Sequence, residues 1–129
     1  MNKLNKESVT GISALLVHAA NIDEIYSEHE KDLIKIFIKS YLKDSNENQI
    51  LEKAEEIEKN SNQLLNYTNI IKENSFEIKK NIIEHLWKVI ISDKTVDQYE
   101  SNLMRRICGL IYFPDKESAE IKLKLMNKK

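Results

Sequence analysis

Two glycines and a single proline in 129 residues leave this chain few means of making tight turns. Sandwiches and barrels reverse direction many times through turn residues, and phosphate-binding loops draw on glycine as well. A chain so poor in both is confined to helices joined by polar loops. Its length suits one domain, which at this size buries roughly two-thirds of the surface exposed on unfolding, enough for a core without disulfides or a structural metal.

Apolar residues recur at three- and four-residue steps along most of the chain. Ile12, Leu15, Leu16 and Ala19 mark one face; Leu33, Ile34, Phe37, Ile38 and Tyr41 a second; Ile50, Ala54 and Ile57 a third. Leu64, Tyr67 and Ile71 follow, then Ile78, Ile82, Leu86, Val89 and Ile90, then Leu103, Met104, Ile107, Cys108 and Ile111, and last Ala119, Leu123 and Met126. The spacing predicts seven helices, over 8–20, 28–42, 46–60, 63–72, 76–92, 98–112 and 116–127. Ser8, Ser27, Ser45, Ser75, Asp97 and Asp115 stand where N-caps belong, and Ser27 with Glu30 and Asp97 with Glu100 have capping-box spacing. Pro114 is expected to stop the sixth helix. The Asn-, Glu- and Lys-rich stretch 44–74 is expected to pack least tightly, and Leu123 and Met126 to dock back onto the bundle.

A shift of seventy positions superimposes two helix–loop–helix segments, 8–42 and 76–112. Ile12 falls on Ile82, Leu16 on Leu86, Ala19 on Val89, Ala20 on Ile90, Leu33 on Leu103, Ile34 on Met104, Phe37 on Ile107 and Ile38 on Cys108. Seventy is a multiple of seven, so heptad-like stripes match at this shift by periodicity alone. The loops agree too, which periodicity does not explain: Asp23 with Asp93, Ser27 with Asp97, Glu30 with Glu100. The expected architecture is a single all-α bundle of about seven helices over 1–129. Two hairpins related by a pseudo-two-fold are bridged by helices over 46–72, and a C-terminal helix covers 116–127.

Each hairpin turn thus carries Asp, three residues, Ser or Asp, two residues, Glu. An Asp or Ser cap with Glu at the third helical position is how a well-formed helix starts, so capping alone accounts for these residues. The same oxygens could also converge on a hard divalent cation such as calcium, which takes six to eight oxygen ligands in flexible geometry. An EF-hand is excluded: the alternating Asp run with its glycine is missing, and Lys94 occupies an inner position.

The stretch HLWKVIISDKTVDQYESNLMRRICGLI, His85 to Ile111, resembles the signature of the tellurite resistance protein B (TerB)-like domain: an apolar helix, D-G-x-[IV]-D-x-x-E, and a second apolar helix. A weaker copy is ALLVHAANIDEIYSEHEKDLIKIFI, Ala14 to Ile38. The resemblance implies an all-helical cytoplasmic bundle, an acidic surface binding metal ions, and a role linked to tellurite or other chemical stress without an established reaction. The acidic positions it carries over are Asp93, Asp97 and Glu100, with Asp23 and Glu30 in the first copy. Lys94 and Glu24 replace the family's glycine, and Ser27 replaces the first copy's middle acid, so the second loop is the better ligand set.

The remaining candidates are quieter. His29 reads as part of a solvated face, His18 and His85 as partly buried or surface residues, and Cys108 as core. Trp87 reads as core or the edge of a groove, and the Arg105–Arg106 doublet suits a partner's carboxylates. Twenty basic against 21 acidic side chains, net −1, give no broad footprint for nucleic acid. One cysteine allows no internal disulfide, and neither a leader nor an apolar span of membrane length is seen, so a cytoplasmic location without membrane insertion is expected. Glycine-rich nucleotide loops, GxSxG, HExxH and paired CxxC are all absent. The expected function is a non-catalytic TerB-like accessory protein with other proteins as partners and a divalent cation on its acidic loops. The alternative is a structural interaction domain whose acids only cap helices. The sequence does not set the oligomeric state.

Overall fold

Between Glu7 and His18 no residue is charged, and the helix formed there, α1 (Lys6–Ala20), is buried on every side from Val9 to Val17. A helix apolar all round belongs at the centre of a bundle. Around it pack α2 (Glu28–Tyr41), α3 (Glu47–Asn60), α4 (Leu65–Lys72) and α5 (Phe76–Ile91). Beyond these, α6 (Gln98–Ile111) lies mainly against α4 and α7 (Asp115–Asn127), and α7 lies against α5. The computed structural model describes residues 4–21, 26–60, 65–91 and 98–127, with the helical backbone alone for 65, 66 and 98–100. No strand occurs among them. None of their helices is long and apolar enough to cross a membrane.

The stripes of α2, α3, α5 and α6 face inward as their spacing requires, with Ile34, Phe37, Ile38, Ile82, Leu86, Ile90 and Ile107 all fully buried. Within 44–74, α3 packs extensively on α1 and buries Ile50, Leu51 and Ala54. One expectation about packing is corrected. On α7 the inward residues are Ser118, Ile121 and the half-buried Leu125, while Ala119, Leu123 and Met126 face outward. The inward side holds the acceptor that the buried Trp87 needs, its indole N–H donating to Ser118 Oγ at 2.9 Å across the α5–α7 contact. The pseudo-two-fold is not evident in the contacts either, since α1 packs directly on α2 whereas α6 takes α4 and α7 as its main neighbours.

Several helix ends also differ from expectation. Asn5, not Ser8, caps α1, accepting from Ser8 N–H at 2.7 Å, and Asn46, not Ser45, accepts from Asn48 N–H at 2.9 Å at the start of α3. Ser75 caps α5 as expected, accepting from Ile78 N–H at 3.3 Å. Asp115 is the first residue inside α7, where its charge favours the positive end of the helix, and the Pro114 carbonyl accepts from Ser118 N–H at 3.1 Å. The sixth helix ends before the proline takes effect. Tyr112 turns into the left-handed region at φ 60°, and Phe113 N–H returns to the Cys108 carbonyl at 2.9 Å, a Schellman-type stop carried by a tyrosine.

One polar atom of the core stands out. Ser13 Oγ is buried in α1 and has no hydrogen-bond partner. A desolvated hydroxyl with no partner opposes folding, and alanine also suits a helix better. Ser13→Ala is therefore expected to raise stability by about 1 kcal/mol, read as a higher urea midpoint with unchanged slope. A lower midpoint would mean that the hydroxyl has a partner in solution.

Candidate functional site

Of the five acids expected to hold a cation, Glu30 is the one whose side chain is described. Asp23, Asp93 and Asp97 lie outside the described residues; Glu100 lies in α6, its side chain outside them. Glu30 is 1% exposed. Ser27 N–H donates to its Oε1 at 2.8 Å, the Ser27 hydroxyl donates to the same oxygen at 3.1 Å, and Glu30 N–H donates to Ser27 Oγ at 3.2 Å. This is the reciprocal capping box that the spacing predicts. The Glu30 Oε1 is thereby taken up by the start of α2.

The start of α2 is tied to α3. Tyr26 donates its hydroxyl to Glu55 Oε2 at 2.7 Å, and Lys31 Nζ sits 5.1 Å over the Tyr26 ring. At the end of α1, Asn21 Nδ2 donates to Glu58 Oε1 at 3.3 Å, and His18 Nδ1 lies 3.4 Å from Glu58 Oε2. A cleft of about 350 Å³ opens among Val17, Tyr26, Lys31, Glu55 and Glu58. Burial, reinforced by the bonded Glu55 and the nearby Glu30 and Glu28 charges, raises the Tyr26 phenol well above its ordinary range, so it remains a donor. Sequence reasoning missed this clasp because Tyr26 and Glu55 are 29 residues apart, and His18 and Glu58 are 40. Among the described residues no three His, Cys, Asp or Glu side chains come together as a metal site.

The other side chains singled out by sequence are placed as follows. His29, Arg105 and Arg106 are exposed, and Trp87 is buried. Cys108 is buried, and desolvation pushes its thiol up to about 11, partly opposed by a hydrogen bond with Ser118. Such a thiol is a poor nucleophile. A wider groove of about 820 Å³ lies at the other end of α1, with Ile50, Ile57, Tyr67 and Ile70 as its apolar wall; its one described carboxylate is Glu7.

His85 is 8% exposed, edge-on to Phe37 at 5.1 Å, and its Nδ1–H donates to the Asn81 carbonyl at 3.0 Å. Burial, helped by the Lys88 charge, holds its pKa below the ordinary value, against the opposing effects of that carbonyl and Glu84. The unfolded chain therefore binds a proton here that the folded one resists. This contribution to stability is complete above about pH 6.5 and is lost as pH falls from there through the depressed folded value. Urea midpoints measured from pH 7.5 down to 5 should fall more steeply for the wild type than for His85→Gln; parallel curves would refute the assignment.

Helices throughout the described residues, with no strand among them, define a small all-α domain. The chain belongs to the tellurite resistance protein TerB family, whose family model matches residues 10–123. The match includes both acidic loops and reaches into all seven helices. No curated protein and no solved structure matches the chain.

Proposed function

We propose that this chain is a non-catalytic TerB-type accessory protein of the cytoplasm, acting in tellurite or related chemical stress through contacts with other proteins. In this reading its divalent cation, calcium or a similar hard ion, is held by the second acidic loop alone. The supporting observation is the fate of Glu30: its Oε1 accepts from the start of α2 and the residue is buried, which favours the second loop over the first. The second loop keeps three acids, Asp93, Asp97 and Glu100, because Asp97 stands where the first copy has Ser27. Family membership supports the accessory role. The elevated Cys108 thiol and the buried, backbone-bonded His85 support a non-catalytic reading, since neither is poised as a nucleophile or base.

A second reading, in which both acidic turns only cap helices, is favoured by the same capping box, since the second turn has equivalent spacing. Thermal melts of chelator-treated protein with millimolar Ca²⁺, Mg²⁺, Mn²⁺ or Zn²⁺ separate the two. Preferential binding to the folded state raises stability by RT ln(1 + [L]/Kd). The proposal expects a rise of several degrees with one cation, abolished by Asp93→Asn or Asp97→Asn and retained in Glu30→Gln. The capping reading expects no cation-specific shift in any of them.

A further inference from the structure

The outward side of α7 carries Ala119, Leu123 and Met126 at i, i+4 and i+7, with Leu123 58% and Met126 42% exposed. At this spacing they form one continuous apolar stripe. A groove of about 280 Å³ runs beside it between α5, α6 and α7. Trp87 is its floor, fixed by the bond to Ser118, and Met104 and Ala119 line it, so Ala119 joins groove to stripe. Arg105 and Lys122 form the rim, with Lys122 Nζ 5.3 Å from the Trp87 ring centre; Asp115 is the one described carboxylate in the lining. Helical geometry sets Lys116 and Lys122 on opposite flanks of the stripe. In a chain of net charge −1, Arg105, Lys116 and Lys122 around this face outnumber its described carboxylates, Asp115 and Glu120.

We propose that this face docks an acidic amphipathic helix of a partner protein, its apolar side chains on Leu123, Met126 and the Trp87 groove and its carboxylates on Arg105, Lys122 and Lys116. This specifies the partner class for the protein-binding role proposed above and rests on that reading. Charge complementarity selects the occupant. A second copy presenting the same face would set one excess of basic residues against another, which like-charge repulsion disfavours. A lipid surface is flat, whereas the groove is concave with an aromatic floor, a shape that receives a side chain.

The probe is a fluorescein-labelled synthetic helix of about 18 residues, with Leu at i, i+3, i+4 and i+7 spacing and Glu elsewhere. It is titrated by anisotropy near physiological salt, where non-specific charge attraction is screened. Trp87 is the sole tryptophan, so its emission reports whether the groove is filled. Leu123→Glu and Arg105→Glu alter exposed side chains and should leave the fold intact, which circular dichroism checks. Expected are saturable binding with a change in Trp87 emission, at least tenfold weaker binding by each variant, and at least tenfold weaker binding of a peptide with Lys in place of Glu. The proposal is overturned if the Glu peptide does not bind, if either variant binds it as the wild type does, or if both peptides bind alike. It is equally overturned if sedimentation shows a wild-type dimer that Leu123→Glu dissociates, or if phosphatidylglycerol vesicles bind the wild type and Leu123→Glu releases them. The cation melts do not involve this face, so a cation shift that persists without peptide binding removes the groove and leaves the second loop's role standing.

Discussion

Phe37→Ala is expected to lower the unfolding free energy by about 3–5 kcal/mol, the usual cost of deleting a buried aromatic side chain and leaving its cavity. Phe37 is fully buried in α2, and its ring meets His85 of α5 at 5.1 Å and Tyr41 at 5.2 Å. It joins two helices that both lie on α1, and Tyr41 in turn accepts a hydrogen bond from Asn81 Nδ2 at 2.7 Å. The void would therefore open where three helices meet, with little freedom to collapse. Against a total stability of typically 5–15 kcal/mol this is a large fraction. Urea denaturation followed by far-ultraviolet circular dichroism should show a much lower midpoint at unchanged slope. A loss below about 1 kcal/mol would mean that α2 and α5 close over the gap.

Glu30→Ala is expected to cost about 1–3 kcal/mol. The substitution removes the acceptor of Ser27 N–H and of the Ser27 hydroxyl and leaves a gap at a position 1% exposed. Glu30→Gln keeps a side-chain oxygen able to accept from Ser27, and glutamine is tolerated at this capping-box position, so most of the stability should return. A residue serving as a metal ligand would behave differently: the loss on Glu30→Ala would appear only with cation present, and glutamine would not restore it. Melts of both variants in chelator decide between these outcomes, since a cap contributes equally with and without metal.

The capping box was legible because everything it needs lies within four consecutive residues, Ser27 to Glu30. Its meaning was less so. Asp, Ser and Glu at a helix start have the same spacing whether their oxygens point to backbone N–H groups or to an ion, and only the tertiary structure shows Glu30 Oε1 on the Ser27 N–H. The clasp of Tyr26, Asn21 and His18 by Glu55 and Glu58 left no mark in the sequence. Residues 29 to 40 apart meet there only because α3 packs along α1. On α7, residues 118, 121 and 125 and residues 119, 123 and 126 are both possible helical stripes, and periodicity favoured the more apolar set. The set that turns inward is the one whose Ser118 Oγ accepts from the Trp87 indole N–H.

The sequence by itself determined that the chain is helical, where seven helices lie to within a few residues, and which faces of α2, α3, α5 and α6 turn inward. These follow from local spacing, capping chemistry and scarce glycine. Family membership was legible in the second acidic loop for the same reason, a short run of fixed spacing. Tertiary structure alone decided that α1 is enclosed on all sides, that α3 clasps the start of α2, and that α7 keeps its most apolar stripe outside. Each of these depends on which of several competent faces meet in space, and hydrogen bonds and burial between distant residues settle that choice.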